Sequence, residues 1–231
     1  MKAAIDTQET LRQADLEAEI GEAESLWDKF KTLCRENKLA VASAVVILLI
    51  TFSAIFAPLV APYDPTAQDL ANRMQGMSLA HPFGTDQLGR DVLSRMIYGA
   101  RISLCIGIFP TLISMILGTV LGLMSGYLGK TVDFIIMRLA DITMAFPSLL
   151  LAMVVMYTLG NGIINIFLAL TIVSWAGTAR VVRSQTLSLR EKEYVEAARS
   201  MGVGSFTTMF RHILPNCLPS LIVLFTLNIP G

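Results

Sequence analysis

Charge is what this 231-residue chain has least of, with charged residues making up 16% against 54% hydrophobic ones. Soluble domains carry about 25% charged residues, so the shortage and a mean hydropathy of +0.61 exclude an ordinary soluble domain. Cysteine is also scarce. Cys34, Cys105 and Cys217 form no close-spaced set, which argues against a disulfide framework or a thiolate zinc site. No basic tract is present to bind nucleic acid. The first 38 residues are hydrophilic, so the charged-then-apolar opening of a cleavable signal is missing and the first apolar segment is expected to remain as an anchor.

What the chain does have is long runs without charge. Lys38 and Asp64 bracket 25 such residues, Arg101 and Lys130 bracket 28, and Asp141 and Arg180 bracket 38. About 20 apolar residues cross a bilayer core, so the last run holds two spans, divided by Gly160, Asn161 and Gly162. A final run from Ile213 to Gly231 reads as a fifth span cut short. The pattern predicts an all-α polytopic membrane protein. Residues 1–38 form a tail, 39–61 the first span and 62–101 an extracytoplasmic segment. Residues 102–231 form the core, with spans at 102–129, 134–159 and 163–179, a loop at 180–212 and a partial span at 213–231.

Sidedness follows from Lys and Arg, which favour cytoplasmic loops. With the N-terminus inside, fourteen basic residues fall on the cytoplasmic side and four outside: Arg73, Arg90, Arg95 and Arg101. In the tail, Leu16, Ile20, Ala23, Trp27 and Phe30 recur at helical spacing, which predicts an amphipathic helix lying on the bilayer or on a partner.

The external segment carries Gly84, Thr85, Asp86, Gly89, Arg90 and Asp91. Asp–Arg alternation this dense predicts a folded, salt-bridged cap. Arginines beside Asp86, Asp91 and His81 would repel a cation, so no metal is expected. Gly129, Lys130 and Thr131 read as the end of a phosphate loop, but the glycine required five residues before the second one is Met124. ATP is not expected to bind this chain. Arg138 and Asp141, three apart at the start of the third span, are expected to offset each other's burial. Pro110 and Pro147 are expected to kink their spans and free backbone carbonyls toward an internal path.

The loop before the last span is the most informative. Tyr194, Ala197, Ala198 and Met201 follow helical spacing, Gly202 begins a Gly-Val-Gly corner, and Phe206, Met209, Phe210 and Ile213 repeat the pattern. Two short amphipathic helices are expected here, the second capped by Ser205. Small alanines permit close backbone approach, and Glu193, Glu196 and Arg199 offer polar contacts. No nucleophile-base constellation accompanies them, since neither His81 nor His212 lies within a span. The loop therefore reads as a docking element. A self-contained channel or secondary transporter would need ionisable groups near the bilayer midplane, and a membrane-embedded hydrolase a nucleophile within a span.

At Glu196, Ala197, Ala198, Gly202 and the later Leu214-Pro215 the chain resembles the permease subunits of binding-protein-dependent ABC importers. "GTDQLGRDVLSR", "GARISL", "GYLGKTVDFIIMRLADITMAFPSLLLA" and "RHILPN" narrow the resemblance to the C-type permease of the dipeptide, oligopeptide and nickel importers. One departure is Lys130, where many relatives have glycine. The resemblance covers about residue 39 to 231. It implies a six-span permease fold in a prokaryotic inner membrane, paired with a homologous B-type permease. Two cytoplasmic ATPases would bind ATP and Mg, and an extracytoplasmic binding protein would deliver a peptide or, alternatively, nickel or its chelate. It also implies an ATPase-coupling role for Tyr194, Glu196, Ala197, Ala198, Arg199, Met201 and Gly202.

Overall fold

A computed structural model of the protein describes residues 35–160 and 162–229. The tail stripe at Leu16 to Phe30 and Cys34 lie outside the described residues. The chain divides into a first unit ending at Val60 and a second beginning at Ala61.

The first unit contains α1, Lys38–Ile55, and the single turn α2, Ala57–Val60. Eighteen residues at 1.5 Å each give α1 a length of about 27 Å, close to the thickness of a hydrocarbon core. Leu39, Ile47, Leu48, Leu49, Phe52 and Ile55 are all exposed, as side chains facing lipid are.

The second unit opens with a largely non-helical cap and continues through helices that carry the core. Helix α3 runs unbroken from Val92 to Leu128, ten residues earlier than the charge pattern placed the span. The reason is local: the Asp91 carboxylate accepts the Ser94 N–H at 2.7 Å and starts the helix there. Charge ends the membrane-embedded part of a helix without ending the helix. At about 55 Å, α3 projects beyond the bilayer.

Helix α4, Lys130–Ala145, and α5, Ser148–Leu159, meet at 95°. The expected kink at Pro147 is thus a full break. Proline disfavours a helical residue before it, and Phe146 is extended at φ −96 and ψ 141. Pro110, in contrast, lies within the continuous α3. The glycine turn that divides the longest charge-free run has φ +85 at Gly160 and +159 at Gly162. Asn165 secures it by donating to the carbonyls of Leu159 and Gly160 at 2.8 and 3.0 Å.

Helix α6, Ile163–Leu189, runs past the expected end of its span, so the expected loop at 180–212 shrinks. Arg180 and Arg183 are helical and paired with acids on α4. After α7, Glu193–Ser200, a final helix α8 extends from Ser205 to Asn228, with a π-helical stretch at Thr208–Ile213. The second short helix expected from the sequence is therefore the opening of α8. Its N-cap is Gly204, without a side-chain cap bond, and not Ser205.

Packing centres on the seam between α3 and α6. Gly118, Gly122 and Gly126 recur every fourth residue on α3 and face Trp175, Ala179 and Arg183 backbone on α6. Lipid offers no hydrophobic incentive to join helices, so close approach through small residues supplies the attraction. Among the described residues, four helices are long and apolar enough to cross a membrane, or five counting the bent α4–α5 pair.

Candidate coupling corner and internal cavity

Helix α7 has eight residues, too few to be stable alone in water. It is held by Val195 and Ala198, at 0% and 2% exposure, which face the second unit's own core. Val195 packs with Leu123 of α3, Val182 of α6 and Met209, Ile213, Cys217 and Leu221 of α8. This corrects the expectation that Ala198 belongs to the docking face. Tyr194, Glu196, Ala197 and Met201 point outward, Arg199 is exposed but reaches back to Tyr127 on α3, and Met201 and Phe206 are 76% and 71% exposed.

The corner that ends α7 is fixed by backbone geometry. Gly202 takes φ +80, Val203 N–H donates to Ala198 at 3.0 Å and Gly202 N–H to Arg199 at 2.9 Å. These two bonds are the paired closure of a left-handed helix terminus. No atom would obstruct a Cβ at Gly202 within 4 Å, so glycine is favoured there by φ alone.

Polar contacts tie this corner to the membrane helices. Arg199 Nε donates to Tyr127 Oη at 3.2 Å, with its guanidinium 4.6 Å from the ring centroid. Arg190 donates to the Gly126 carbonyl at 3.0 Å. Asp133 on α4 accepts from Arg183 at 2.5 and 2.6 Å and from the Ser125 hydroxyl at 2.5 Å. The expected Arg138–Asp141 pair is not formed. Asp141 binds Arg180, 39 positions away, at 2.6 Å, while Arg138 stands 5.9 Å from the Phe134 ring. Spacing of three permits a pair, but a neighbouring helix supplied a better-placed guanidinium.

A cavity of about 420 Å³ lies between α3, α6 and α8. Ser103, Thr111, Ser114, Ser174, Thr178 and Asn228 give it hydroxyl and amide groups, and among the described residues no charged one lines it. Ile106 and Pro110 also face it. Proline lacks an N–H, so the Ile106 carbonyl has no partner four residues on.

In the cap, Asp86 accepts from Leu88 N–H at 2.8 Å, Arg90 N–H at 3.0 Å, Arg90 Nε at 2.8 Å and Arg95. Burial pushes its carboxyl up, but those N–H donors and the Arg90 guanidinium outweigh this and hold it at about 2. The Asp91 carboxylate pairs with His81 Nδ1 at 3.0 Å, and the Asp91 backbone forms an isolated antiparallel bridge with that of Thr85. Gly89 at φ +72 is forced, because a Cβ there would lie 1.7 Å from the Asp69 carbonyl oxygen. Gly84 likewise takes φ +73.

The glycine column and the Asp133–Arg183 bond escaped the sequence reading. The first was visible as glycines four apart. The second joins positions 50 apart, and no local signal marks it.

Residues 118–231 match the family described as binding-protein-dependent transport system inner membrane component, and residues 25–82 match the N-terminal TM domain of oligopeptide transport permease C. The chain is 41% identical over 206 residues to the oligopeptide transport system permease protein OppC of Bacillus subtilis, covering 89% of this chain and 68% of that one. It is 43% identical over 207 residues to the dipeptide transport system permease protein DppC of Alkalihalophilus pseudofirmus, with coverage of 89% and 68%. For the glutathione transport system permease protein GsiD of Pectobacterium atrosepticum the identity is 42% over 204 residues, with coverage of 88% and 68%. The small-residue seam, the apolar helices and these matches converge: the chain belongs to the binding-protein-dependent transport system inner membrane components, as a multi-pass permease subunit and not an enzyme.

Proposed function

We propose that this chain is the C-type permease of an ATP-driven peptide importer. It forms the translocation path with a homologous permease and receives the motion of cytoplasmic ATPases through α7. The observation that carries this reading is the two-sidedness of α7: Val195 and Ala198 are anchored in the core, while Tyr194, Met201 and Phe206 remain exposed beside a fixed glycine corner. An apolar surface of this kind outside the spans suits a partner's groove.

ATP and Mg are assigned to the partner ATPases and solute delivery to an extracytoplasmic binding protein. The fourteen-to-four distribution of basic residues supports a cytoplasmic N-terminus. Peptide as the solute is supported by the oligopeptide, dipeptide and glutathione systems to which the relatives belong. An uncharged cavity lined by hydroxyls and an amide suits amide groups of varied sequence, because it hydrogen-bonds peptide backbone without selecting a side-chain charge. Closure of the ATPases would move α7 and, through it, the packed helices as rigid bodies.

The test is reconstitution of the complete importer in proteoliposomes with labelled dipeptide, oligopeptide, glutathione and nickel. ATP-dependent peptide uptake, lost in Met201→Glu together with ATPase co-purification, is the expected result. Nickel uptake without peptide uptake, or undiminished ATPase retention by Met201→Glu and Tyr194→Asp, would overturn the assignment.

A further inference from the structure

The anchoring of α7 is of two kinds. Val195 and Ala198 make apolar contacts, which hold the helix against the core but carry no bond direction of their own. The Arg199–Tyr127 contact is directional. A planar guanidinium lies 4.6 Å from the ring centroid while its Nε donates to the phenol oxygen at 3.2 Å, so distance and angle are both set. Among the described residues, this is the side-chain hydrogen bond that joins α7 to a membrane-spanning helix.

Its position gives it consequence. Tyr127 is the penultimate residue of α3, and α3 carries Ser103, Pro110, Thr111 and Ser114 of the cavity wall farther along the same unbroken helix. Tyr127 is also half-buried against the apolar cluster that holds Val195. Displacement of α7 therefore reaches the end of a cavity-lining helix through one oriented contact. The neighbouring Arg190 bond to the Gly126 carbonyl grips the same turn of α3.

We propose that Tyr127 and Arg199 are positioning residues that act as a strut between the ATPase-facing helix and α3, converting motion of α7 into motion of the cavity wall. The proposal rests on the coupling role assigned to α7 above. The strut does not recruit the ATPase; it sets how much of the ATPase's movement is delivered. Its loss should uncouple hydrolysis from uptake and leave assembly intact.

The experiment uses the complete importer in proteoliposomes and measures three quantities in each variant: ATPase co-purification, ATP hydrolysis, and solute imported per ATP. Arg199→Met keeps a long side chain at an exposed position but loses charge and plane. Tyr127→Leu removes the ring, and Tyr127→Phe keeps the ring without the hydroxyl. In Arg199→Met and Tyr127→Leu, uptake per ATP should fall roughly three- to tenfold, the range expected for loss of a partly shielded cation–ring contact, while ATPases stay bound and hydrolysis continues. Arg199→Lys and Tyr127→Phe should fall between these and the unmodified chain. If Tyr127→Leu does not assemble, Arg199→Met and Tyr127→Phe still decide the matter. Parallel loss of hydrolysis and uptake at constant ratio would mean packing only and overturn the strut. An unchanged ratio in Arg199→Met would do the same. ATPases that remain bound and active when the exposed face of α7 is charged by Met201→Glu would instead remove the coupling role beneath it.

Discussion

Two glycines on α3 make opposite forecasts for the same substitution. At Gly122 an added Cβ would lie 2.6 Å from the Ala179 carbonyl oxygen and 2.8 Å from Val182 Cβ on α6. The obstacle is helical backbone and a branched carbon, neither of which can turn aside. Ordinary contact begins near 3.4 Å, so the helices must part by about 0.8 Å at that level. Parting them weakens the flanking contacts at Gly118 and Gly126, whose added Cβ atoms would meet α6 at 2.6 and 2.7 Å. Overpacking of this type costs about 1–3 kcal/mol. Gly99 lies on the same helix with nothing within 4 Å. There Ala lowers the entropy of the unfolded chain without a clash, and should stabilise by about 0.4–1 kcal/mol. Thermal unfolding of the purified subunit in one detergent would compare Gly122→Ala and Gly99→Ala directly, and the two should shift Tm in opposite directions. Equal Tm values for the two variants would refute the close-packed seam.

Other outcomes follow from the same geometry. Asp133→Ala leaves the Arg183 guanidinium without its carboxylate and should cost about 1–3 kcal/mol, but much less in an Arg183→Met background; additive effects in the double-mutant cycle would show that the bond contributes nothing. Asp86 is held at about 2, below an ordinary carboxyl near 3.9, so its contribution to the cap is present above the ordinary value and is lost as pH falls toward about 2. Backbone exchange of the cap, corrected for intrinsic rates, should be flat from about pH 7 to 5 and rise only below about pH 4, and Asp86→Asn should remove that dependence; a step above pH 5 would contradict it. An impermeant thiol reagent on intact cells should label Gln75→Cys and spare Lys192→Cys in a background free of other cysteines, and the reverse pattern would invert the assigned topology.

The apolar helices were legible because a bilayer demands long charge-free runs, and a protein cannot disguise them. Their ends were less legible. Arg95 and Arg101 marked where lipid should stop, but Asp91 had already capped α3 and extended it outward. Arg180 and Arg183 likewise stayed helical because acids on α4 neutralise them. The Glu-Ala-Ala corner was found by pattern, yet its buried side was misjudged at Ala198. Eight residues hold more than one stripe at spacings of three and four, and only the neighbours decide which is buried. Arg138 and Asp141 were paired on proximity in sequence, a necessary condition that Arg180 made insufficient.

The break at Pro147 restricts what can surround this molecule. Helix α5 is 12 residues, about 18 Å long, and no side chain caps its first turn. Leu151 N–H reaches the Pro147 carbonyl at 3.0 Å, but the preceding amides and the last carbonyls of α4 have no helical continuation to receive them. Each such group left bare in hydrocarbon costs several kcal/mol. Acyl chains therefore make a poor solvent for this elbow, although the side chains around it are as apolar as those of any span. At hydrocarbon depth, water or another polypeptide would have to satisfy these groups, and a solitary copy with the face bearing Phe146 and Pro147 turned to acyl chains would be frustrated at that one corner.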